Sequence, residues 1–245
     1  MLCTASELKG YALEAVDGRL GTCKDFLFDD RDWALRYLVV DTGRKVLVSP
    51  LFLEAPRHVE KALPVTLTKG EVEHSPPLDE HAPVSRRREL QYLDFYHLPY
   101  YWPGTGLWGA YRTPQALRLA WEKAPETLDR TPGREDRCLR STEEVAGYRI
   151  PATDEEVGHV EDFVVEEETW VVRYLVVDTR NWLPGRKVLV APSWVRAVDW
   201  AKEEAAVDLP SEAIRESPEW DPGRPLNRHY ETQLYGFYGK PPYWR

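Results

Sequence analysis

Two aspartates are the carboxylates of this sequence that are the best candidates for a chemical role. Asp25 and Asp162 each lie in a run of apolar residues that predicts a β-strand, and each shares a face with apolar neighbours when residues are counted by two. A buried carboxylate needs a partner, because an unpaired buried charge costs several kcal/mol. Arg36 and Arg173 lie in the strands predicted to face them and are the available donors, so we expect structural ion pairs Asp25–Arg36 and Asp162–Arg173. The alternatives are a strand register that places the arginines beyond reach and a turn-capping role for the aspartates. A catalytic role would require a second poised group, and the sequence identifies none.

The sequence lacks the motifs of common enzyme classes. It contains no G-x-x-x-x-G-K-[ST] phosphate loop, no G-x-G-x-x-G after a strand, no G-x-S-x-G and no H-E-x-x-H. Cys3, Cys23 and Cys138 form no C-x-x-C pair, so reduced thiols are expected rather than a disulfide framework or a zinc site. We expect no enzymatic activity, no cofactor and no metal. The histidines are dispersed without metal-ligand spacing: His58, His74, His81, His97, His159 and His229.

Two segments rich in Tyr, Phe and Trp carry the strongest functional signal. The first arm, Ser85–Trp102, reads SRRRELQYLDFYHLPYYW, and the second arm, Asn227–Trp244, reads NRHYETQLYGFYGKPPYW. Helical spacing in each predicts a short amphipathic helix that ends before a proline. Burying one large side chain is worth about 1.5–3 kcal/mol, so both arms must be covered, either within the chain or by another protein. The candidate interface residues are Tyr96, Tyr101, Trp102, Tyr238, Tyr243 and Trp244.

One basic run lies at the start of the first arm. Arg86-Arg-Arg88 precedes several aromatic residues, and an RNA platform combines cations that hold phosphate with rings that stack on bases. Three arginines supply little of the charge that nucleic-acid binding needs, and the second arm has only Arg228 at the matching position. RNA binding is therefore the alternative to intramolecular packing of this segment.

The chain contains an internal duplication. RYLVVDT occurs at Arg36–Thr42 and again at Arg173–Thr179, and GRKVLV occurs at Gly43–Val48 and again at Gly185–Val190. The two motifs are adjacent in the first copy, whereas Arg180–Pro184 separates them in the second. We call this correspondence the repeat alignment. It continues through the two arms, so the sequence predicts two homologous units in tandem.

The predicted elements are mainly short strands. In the first repeat, Leu20–Phe28, Ala34–Asp41 and Lys45–Ser49 are rich in β-branched and aromatic residues and are separated by turn signals. We predict a mainly β fold of two small barrels with short helices and aromatic C-terminal arms. The expected boundaries are 1–102 for the first unit, 103–137 for a helical linker and 138–245 for the second unit.

Two helices are predicted outside the arms. Thr113–Lys123 predicts a helix with Thr113 as its N-cap and proline in the first turn. Ser211–Glu216 predicts a shorter helix with Ser211 as its cap. Neither helix is long enough to change the mainly β assignment.

Composition limits the classes of partner. The chain has 245 residues and a net charge of −9, which argues against a general nucleic-acid binder. No stretch approaches the ~18 consecutive apolar residues of a membrane-spanning helix, and the first residues lack the pattern of a secretory signal. We therefore expect a cytoplasmic protein without a membrane span.

The repeated unit resembles the PRC-barrel family. Ser141–Trp194 carries Gly-Tyr, then V-G-x-V-x-D-F, then R-Y-L-V-V-D and a closing K-V-L-V-x-P, and Thr4–Phe52 follows the same order more loosely. The resemblance implies a small β-barrel, similar to the cytoplasmic domain of the photosynthetic reaction-centre H subunit and to the C-terminal part of a ribosome maturation factor. Both use the barrel to bind macromolecules. We therefore expect a noncatalytic adaptor or assembly module with a protein partner or a second copy, and the alternative is association with RNA or the ribosome.

Overall fold

The computed structural model describes residues 1–78, 83–133, 138–179 and 186–244. The predicted insertion Arg180–Pro184 lies outside the described residues, as do Gly185, His81 and the end of the predicted linker, residues 134–137. The predicted mainly β class is confirmed, because two sheets and short helices make up the described chain. The strand order of neither sheet closes on itself within these ranges.

The chain divides into two compact units. The first unit consists of Glu7–Thr142 with Glu167–Val171, and the second consists of Met1–Ser6, Glu143–Glu166 and Val172–Arg245. Neither unit is one continuous stretch of sequence. Each combines most of one repeat with a short segment that belongs, by sequence, to the other.

The sheet of the first unit has the strand order β5-β4-β3-β2-β6, with β7 paired to β3. β2–β3, β3–β4 and β4–β5 are antiparallel, and β2–β6 is parallel. In the register of β3 and β4, Asp25 lies opposite Val39 and Leu27 opposite Tyr37. The strand bounds are Ala12–Ala15 for β2, Gly18–Phe28 for β3, Leu35–Asp41 for β4, Lys45–Val48 for β5, Ala62–Pro64 for β6 and Arg140–Ser141 for β7.

The sheet of the second unit has the order β11-β10-β9-β8-β13-β12, with β1 paired to β9. The pairs β10–β11, β8–β9 and β12–β13 are antiparallel, and the pair β8–β13 is parallel. The strand bounds are Leu2–Thr4 for β1, Arg149–Pro151 for β8, Glu156–Glu166 for β9, Val171–Asp178 for β10, Lys187–Val190 for β11, Val195–Asp199 for β12 and Glu204–Val207 for β13.

The short strands β1 and β7 are exchanged between the sequence repeats. β7 lies at the start of the second repeat but pairs with β3 of the first, where Ser141 lies opposite Leu27. β1 lies at the start of the first repeat but pairs with β9 of the second, where Thr4 lies opposite Val164. The repeat alignment matches Thr4 with Ser141 and Leu27 with Val164. The exchange is therefore reciprocal and uses matching registers.

Glycine is required where two neighbouring strands come closest. A Cβ on Gly21 would lie 2.2 Å from the carbonyl oxygen of Asp41, and one on Gly158 would lie 2.0 Å from that of Asp178. Real Cβ atoms do not approach backbone oxygen this closely, so a side chain at either position would force the strands apart. The physical reason for the repeated glycine in the sequence is this close approach.

Short helices connect and cover the sheets. Thr113 caps the predicted linker helix through its side chain and Pro114 occupies the first turn, so this prediction is confirmed. No described helix has the length and apolar character that crossing a membrane requires. The helix bounds are Ala5–Leu8 for α1, Lys69–Glu73 for α2, Arg86–Phe95 for α3, Pro114–Lys123 for α4, Thr142–Val145 for α5, Ser211–Glu216 for α6 and Arg228–Tyr238 for α7.

Each arm packs on residues of its own unit. In the first arm, the ring of Tyr92 on α3 lies 4.9 Å from the ring of Tyr37 on β4, measured between centroids. In the second arm, the ring of Tyr235 on α7 lies 5.2 Å from the ring of Trp194. Tyr92 and Tyr235 are both buried. Of the two ways of covering the arms, docking within the chain is the one that the structure shows for these residues.

Candidate functional site

The predicted ion pair Asp25–Arg36 is wrong. Asp25 accepts hydrogen bonds from the hydroxyls of Ser141, at 2.5 Å, and Thr142, at 2.6 Å, and Lys9 lies 3.4 Å from its carboxylate. The guanidinium of Arg36 pairs with Asp29 instead. The register explains the difference, because Asp25 faces Val39 and residues three positions apart on a strand point to opposite faces.

The predicted ion pair Asp162–Arg173 is wrong for the same kind of reason. Asp162 accepts hydrogen bonds from the backbone N–H and the hydroxyl of Ser6 and from the backbone N–H of Phe163. Arg173 donates to Glu166 from Nε, at 3.2 Å, and from Nη2, at 2.5 Å. Asp25 and Asp162 therefore anchor the exchanged segments, whereas Arg36 pairs with Asp29 and Arg173 pairs with Glu166.

Replacing Asp25 with asparagine is expected to destabilise the protein by about 1–3 kcal/mol, because the hydroxyls of the half-buried Ser141 and the buried Thr142 lose their charged acceptor. Asp162→Asn is the matched control, and its effect should be smaller because Asp162 is only half-buried. Chemical denaturation of both variants measures the difference. Equal stability losses in the two variants would contradict the assignment.

The guanidinium of Arg36 contacts carboxylates, a backbone carbonyl and two aromatic rings. Its Nε pairs with Asp29, its Nη2 lies 3.5 Å from Asp32, and its Nη1 donates to the carbonyl of Leu107 at 2.6 Å. The ring of Tyr101 lies 4.0 Å and the ring of Trp108 4.7 Å from its central carbon, within the range of cation–π attraction. Arg36 is thus the centre of a buried polar cluster in the first unit.

A second arginine joins this cluster from α3. Arg86 lies 2.9 Å from the carboxylate of Glu89, one helical turn along, and donates to the hydroxyl of Tyr101 at 3.2 Å. The Tyr101 hydroxyl in turn donates to Glu89 at 2.5 Å. Burial raises the pKa of the Glu89 carboxyl to about 7, although the arginine and the tyrosine both oppose this change. Burial also raises the pKa of the Tyr101 phenol well above its ordinary value.

A cavity of about 210 Å³ opens beside these two arginines. Its wall combines charged groups, the rings of the arm, three glycines and Thr105. The lining includes Asp29, Asp32, Arg36, Arg86, Tyr101 and Trp102. No group of three His, Cys, Asp or Glu side chains with metal-binding geometry occurs among the described residues.

The second unit contains the same set of side chains. The guanidinium carbon of Arg173 lies 4.1 Å from the ring centroid of Tyr243, and that of Arg228 lies 4.1 Å from the ring of Trp244. Arg228 lies 3.1 Å from Glu231, and the Tyr243 hydroxyl donates to Glu231 at 2.9 Å. Together with Glu166, which pairs with Arg173, these residues form an arginine–aromatic cluster of six residues. Each unit contains one such cluster. The six in the first unit are Asp29, Arg36, Arg86, Glu89, Tyr101 and Trp102.

The two clusters differ in exposure. The side chain of Arg86 is 5 % exposed, whereas that of its counterpart Arg228 is 52 % exposed. Arg36 is 1 % exposed and Arg173 is 14 % exposed. Both carboxylates on the helices, Glu89 and Glu231, are buried. The same chemistry is therefore enclosed in the first unit and partly open to solvent in the second.

Four of the six predicted interface residues belong to these clusters: Tyr101, Trp102, Tyr243 and Trp244. Tyr101 is buried, and the other three are half-buried. Tyr96 and Tyr238 lie on the arms beyond the clusters. The ring of Tyr96 packs 5.1 Å from Phe52, and that of Tyr238 packs 4.7 Å from Trp194.

The basic run does not form an uninterrupted cationic surface. Arg86 is buried within the cluster and paired with Glu89, so its charge is directed into the protein.

Cys23 is also enclosed, and burial raises the pKa of its thiol to about 12, which makes it a poor nucleophile.

Sequence reasoning missed the acidic members of the clusters. Asp29 and Glu166 lie at the ends of predicted strands, and Glu89 and Glu231 lie on predicted helices, and the sequence alone indicated no role for any of the four. The signal is nevertheless present in the repeat alignment. It matches Asp29 with Glu166, and it matches the pattern R-x-x-E at Arg86–Glu89 with the same pattern at Arg228–Glu231. Charges that recur at matched positions on two helices indicate a shared pairing.

Each unit is β-rich. Its sheet contains antiparallel pairs and one parallel pair, and the helix of its arm lies at the end of the repeat. Residues 143–211 match the model of the PRC-barrel domain family, so this part of the chain is a PRC-barrel domain. The resemblance stated from the sequence is confirmed for that segment. No curated protein matches the chain.

Proposed function

We propose that the protein is a noncatalytic adaptor that binds another protein through the arm of its second unit. The observation that carries the proposal is the partly exposed stack of Arg228 on Trp244, with Tyr243 beside it. Phe237 on the same arm is 44 % exposed. An arginine, a tyrosine, a tryptophan and a phenylalanine are thereby presented on one short segment.

Protein interfaces favour this composition. Tyr, Trp and Arg are enriched at binding hot spots, because they bury large areas and also form directed polar contacts. The arginine and the rings already pack on one another, so less side-chain freedom is lost when a partner binds. The buried Glu231 accepts a hydrogen bond from Tyr243 and pairs with Arg228, which holds the exposed groups in position.

The family assignment supports a binding role. Residues 143–211 form a PRC-barrel domain, and we infer that the first repeat arose from the same module by duplication. The matching strand order of the two sheets and the six-residue cluster in each unit support this history. We place the protein in the cytoplasm, in agreement with its few cysteines and the lack of a C-x-x-C pair among them.

Photo-crosslinking from the second arm tests this function. A benzophenone amino acid at position 237, in the native host, is expected to give an adduct with a protein, because this side chain projects from the exposed arm. Position 95 is the matched control, since Phe95 is the counterpart in the first arm and is 42 % exposed. The adduct should persist after nuclease treatment and be lost in Trp244→Ala.

Three results would contradict the proposal. The first is the absence of a protein adduct from position 237, and the second is an equal yield of the same adduct from position 95. The third is an adduct that disappears with nuclease and weakens steeply with salt, which would indicate RNA association instead.

A further inference from the structure

The cavity of the first unit has a buried floor and an exposed rim. Arg36, Arg86 and Tyr101 line it and are buried, whereas the rim at residues 104–106 is exposed. The cavity volume of about 210 Å³ lies below the range of roughly 300–1,000 Å³ that is typical of sites for drug-sized ligands. A ligand of this cavity is therefore a small molecule, and it reaches the buried arginines past residues 104–106.

The two buried arginines differ in their hydrogen bonding. Each nitrogen of the Arg36 guanidinium lies within 3.5 Å of an acceptor in the protein. Arg86 contacts the Glu89 carboxylate, at 2.9 Å, and the Tyr101 hydroxyl, at 3.2 Å, through the same nitrogen, Nη1. Its Nε is buried and has no hydrogen-bond partner within the part of the chain that the structure describes. Because a buried N–H without a partner is unfavourable, this edge of the guanidinium favours a bound acceptor.

The neighbours of Arg86 fix the position of its guanidinium. The ring centroid of Trp102 lies 3.7 Å from the central carbon, and Glu89 holds Nη1. The side chain is 5 % exposed, so it has little freedom to turn away from the cavity. A guanidinium binds a carboxylate well through two parallel N–H···O bonds along one edge. The edge formed by Nε and Nη2 does not include Nη1, and it is the one suited to such a ligand.

The charge of the cavity favours a monoanion. The charged residues among the described lining are three arginines and two aspartates: Arg31, Arg36, Arg86, Asp29 and Asp32. The lining therefore has one more positive charge than negative charges. A monocarboxylate balances this excess, whereas a dianion such as phosphate brings a second charge that the two aspartates repel.

We propose that the cavity of the first unit binds a small monocarboxylate, whose two oxygens accept hydrogen bonds from Nε and Nη2 of Arg86. The remainder of the molecule lies among Tyr101, Trp102 and Thr105. This site is separate from the arm of the second unit, because all the residues that line it belong to the first unit.

Binding is expected to depend on the protonation of Glu89. Burial raises the pKa of this carboxyl to about 7, so it ionises as the pH rises through neutrality. The ionised Glu89 neutralises Arg86 and repels a nearby carboxylate, so affinity should decrease between about pH 6 and about pH 8. For one linked proton the decrease is at most about tenfold. The charged and titratable groups that face Glu89 are Arg86, Tyr101, Arg36, Asp29 and Tyr37.

Titration of the full chain with acetate, lactate and benzoate at constant ionic strength tests the proposal. NMR signals of the arginine Nε–H groups report which side chain is contacted, and the signal that is absent in Arg86→Lys belongs to Arg86. We expect at least one of the three carboxylates to shift this signal saturably. The neutral amides of the same acids should leave it unchanged, and inorganic phosphate should bind at least tenfold more weakly, because of the aspartates in the lining.

Matched variants locate the site, and ligand-observed NMR gives their affinities without a signal from Arg86. Arg86→Lys retains the charge beside Glu89 but lacks the two-nitrogen edge, so binding should weaken at least tenfold. Thr105→Trp narrows the cavity from its exposed rim and should weaken binding as much while leaving Arg86 in place. Arg228→Lys, at the counterpart position in the second unit, should leave the affinity unchanged. Melting curves establish that each variant is folded, and Thr105→Trp decides the question if Arg86→Lys is not.

The proposal is overturned if none of the three carboxylates binds at tens of millimolar, or if the amides or phosphate bind as tightly. Wild-type affinity in a folded Arg86→Lys or in Thr105→Trp would also reject it. Glu89→Gln should bind equally well at about pH 6 and about pH 8, because glutamine does not titrate. Equal affinities of the wild type at these two pH values would show that the carboxylate is not bound beside the Arg86–Glu89 pair.

Discussion

Replacing Arg36 with methionine is expected to lower the free energy of unfolding by about 3–5 kcal/mol, the cost of breaking a buried ion pair from one side. The side chain of Arg36 is 1 % exposed, and its removal leaves the Asp29 carboxylate without its buried cation. It also removes the donor to the Leu107 carbonyl and the cation between the Tyr101 and Trp108 rings. Chemical denaturation with linear extrapolation measures the loss.

Combining Arg36→Met with Asp29→Asn in a double variant separates the effect of the lost ion pair from the effect of lost packing. The asparagine can still accept from the backbone N–H of Asp32 through its side-chain oxygen, while its negative charge is gone. The double variant should therefore lose less stability than the sum of the two single variants. Strict additivity would show that the ion pair is not the source of the effect. Arg173→Met provides a comparison in the second unit, and the smaller burial of Arg173 predicts a smaller loss.

Replacing Glu89 with glutamine is expected to change how stability depends on pH. Burial raises the pKa of Glu89 in the folded protein to about 7, from an ordinary value of 4.5. Between these two values the folded state retains a proton that the unfolded state has released, so wild-type stability falls as pH rises through this window. Glutamine does not titrate, so the variant lacks this decrease, which is on the order of a few kcal/mol.

Urea denaturation of wild type and Glu89→Gln at intervals across the two pKa values gives the comparison. The difference in unfolding free energy between the two proteins should change in favour of the variant as pH rises, and then remain constant above the folded pKa. Parallel profiles across the whole range would contradict the assignment. Tyr101→Phe is a useful control, because it removes a hydrogen bond to Glu89 without removing the carboxyl.

Local sequence signals predicted much of the fold. The strand expected at Leu20–Phe28 occurs at Gly18–Phe28, and the strand expected at Lys45–Ser49 occurs at Lys45–Val48, because alternation and turn residues specify such elements locally. The helix Ser211–Glu216 has the predicted bounds. Its predicted cap is wrong, since Pro210 occupies the N-cap position and the Ser211 hydroxyl donates to Asp154.

The site could not be predicted in the same way, because it depends on pairing between distant parts of the sequence. Whether Arg36 meets Asp25 or Asp29 is decided by strand register, and β3 and β4 have an irregularity between Leu27 and Phe28. Register follows from packing of the whole sheet rather than from either residue. The partners of Asp25, Ser141 and Thr142, lie far along the sequence and reach it only through the exchange of β7.

The exchange of β1 and β7 also sets an order for folding during synthesis. The first unit contains Thr142 and Glu167–Val171, so a ribosome must translate well into the second repeat before this unit has all its residues. Met1–Ser6 is translated before the first unit but belongs to the unit completed last, and β1 pairs with β9, which is made only with the second repeat. A nascent chain halted at the end of the first repeat would lack β7, which pairs with β3, and β9, which pairs with β1. Each sheet therefore needs a strand from the other repeat before its pairing is complete.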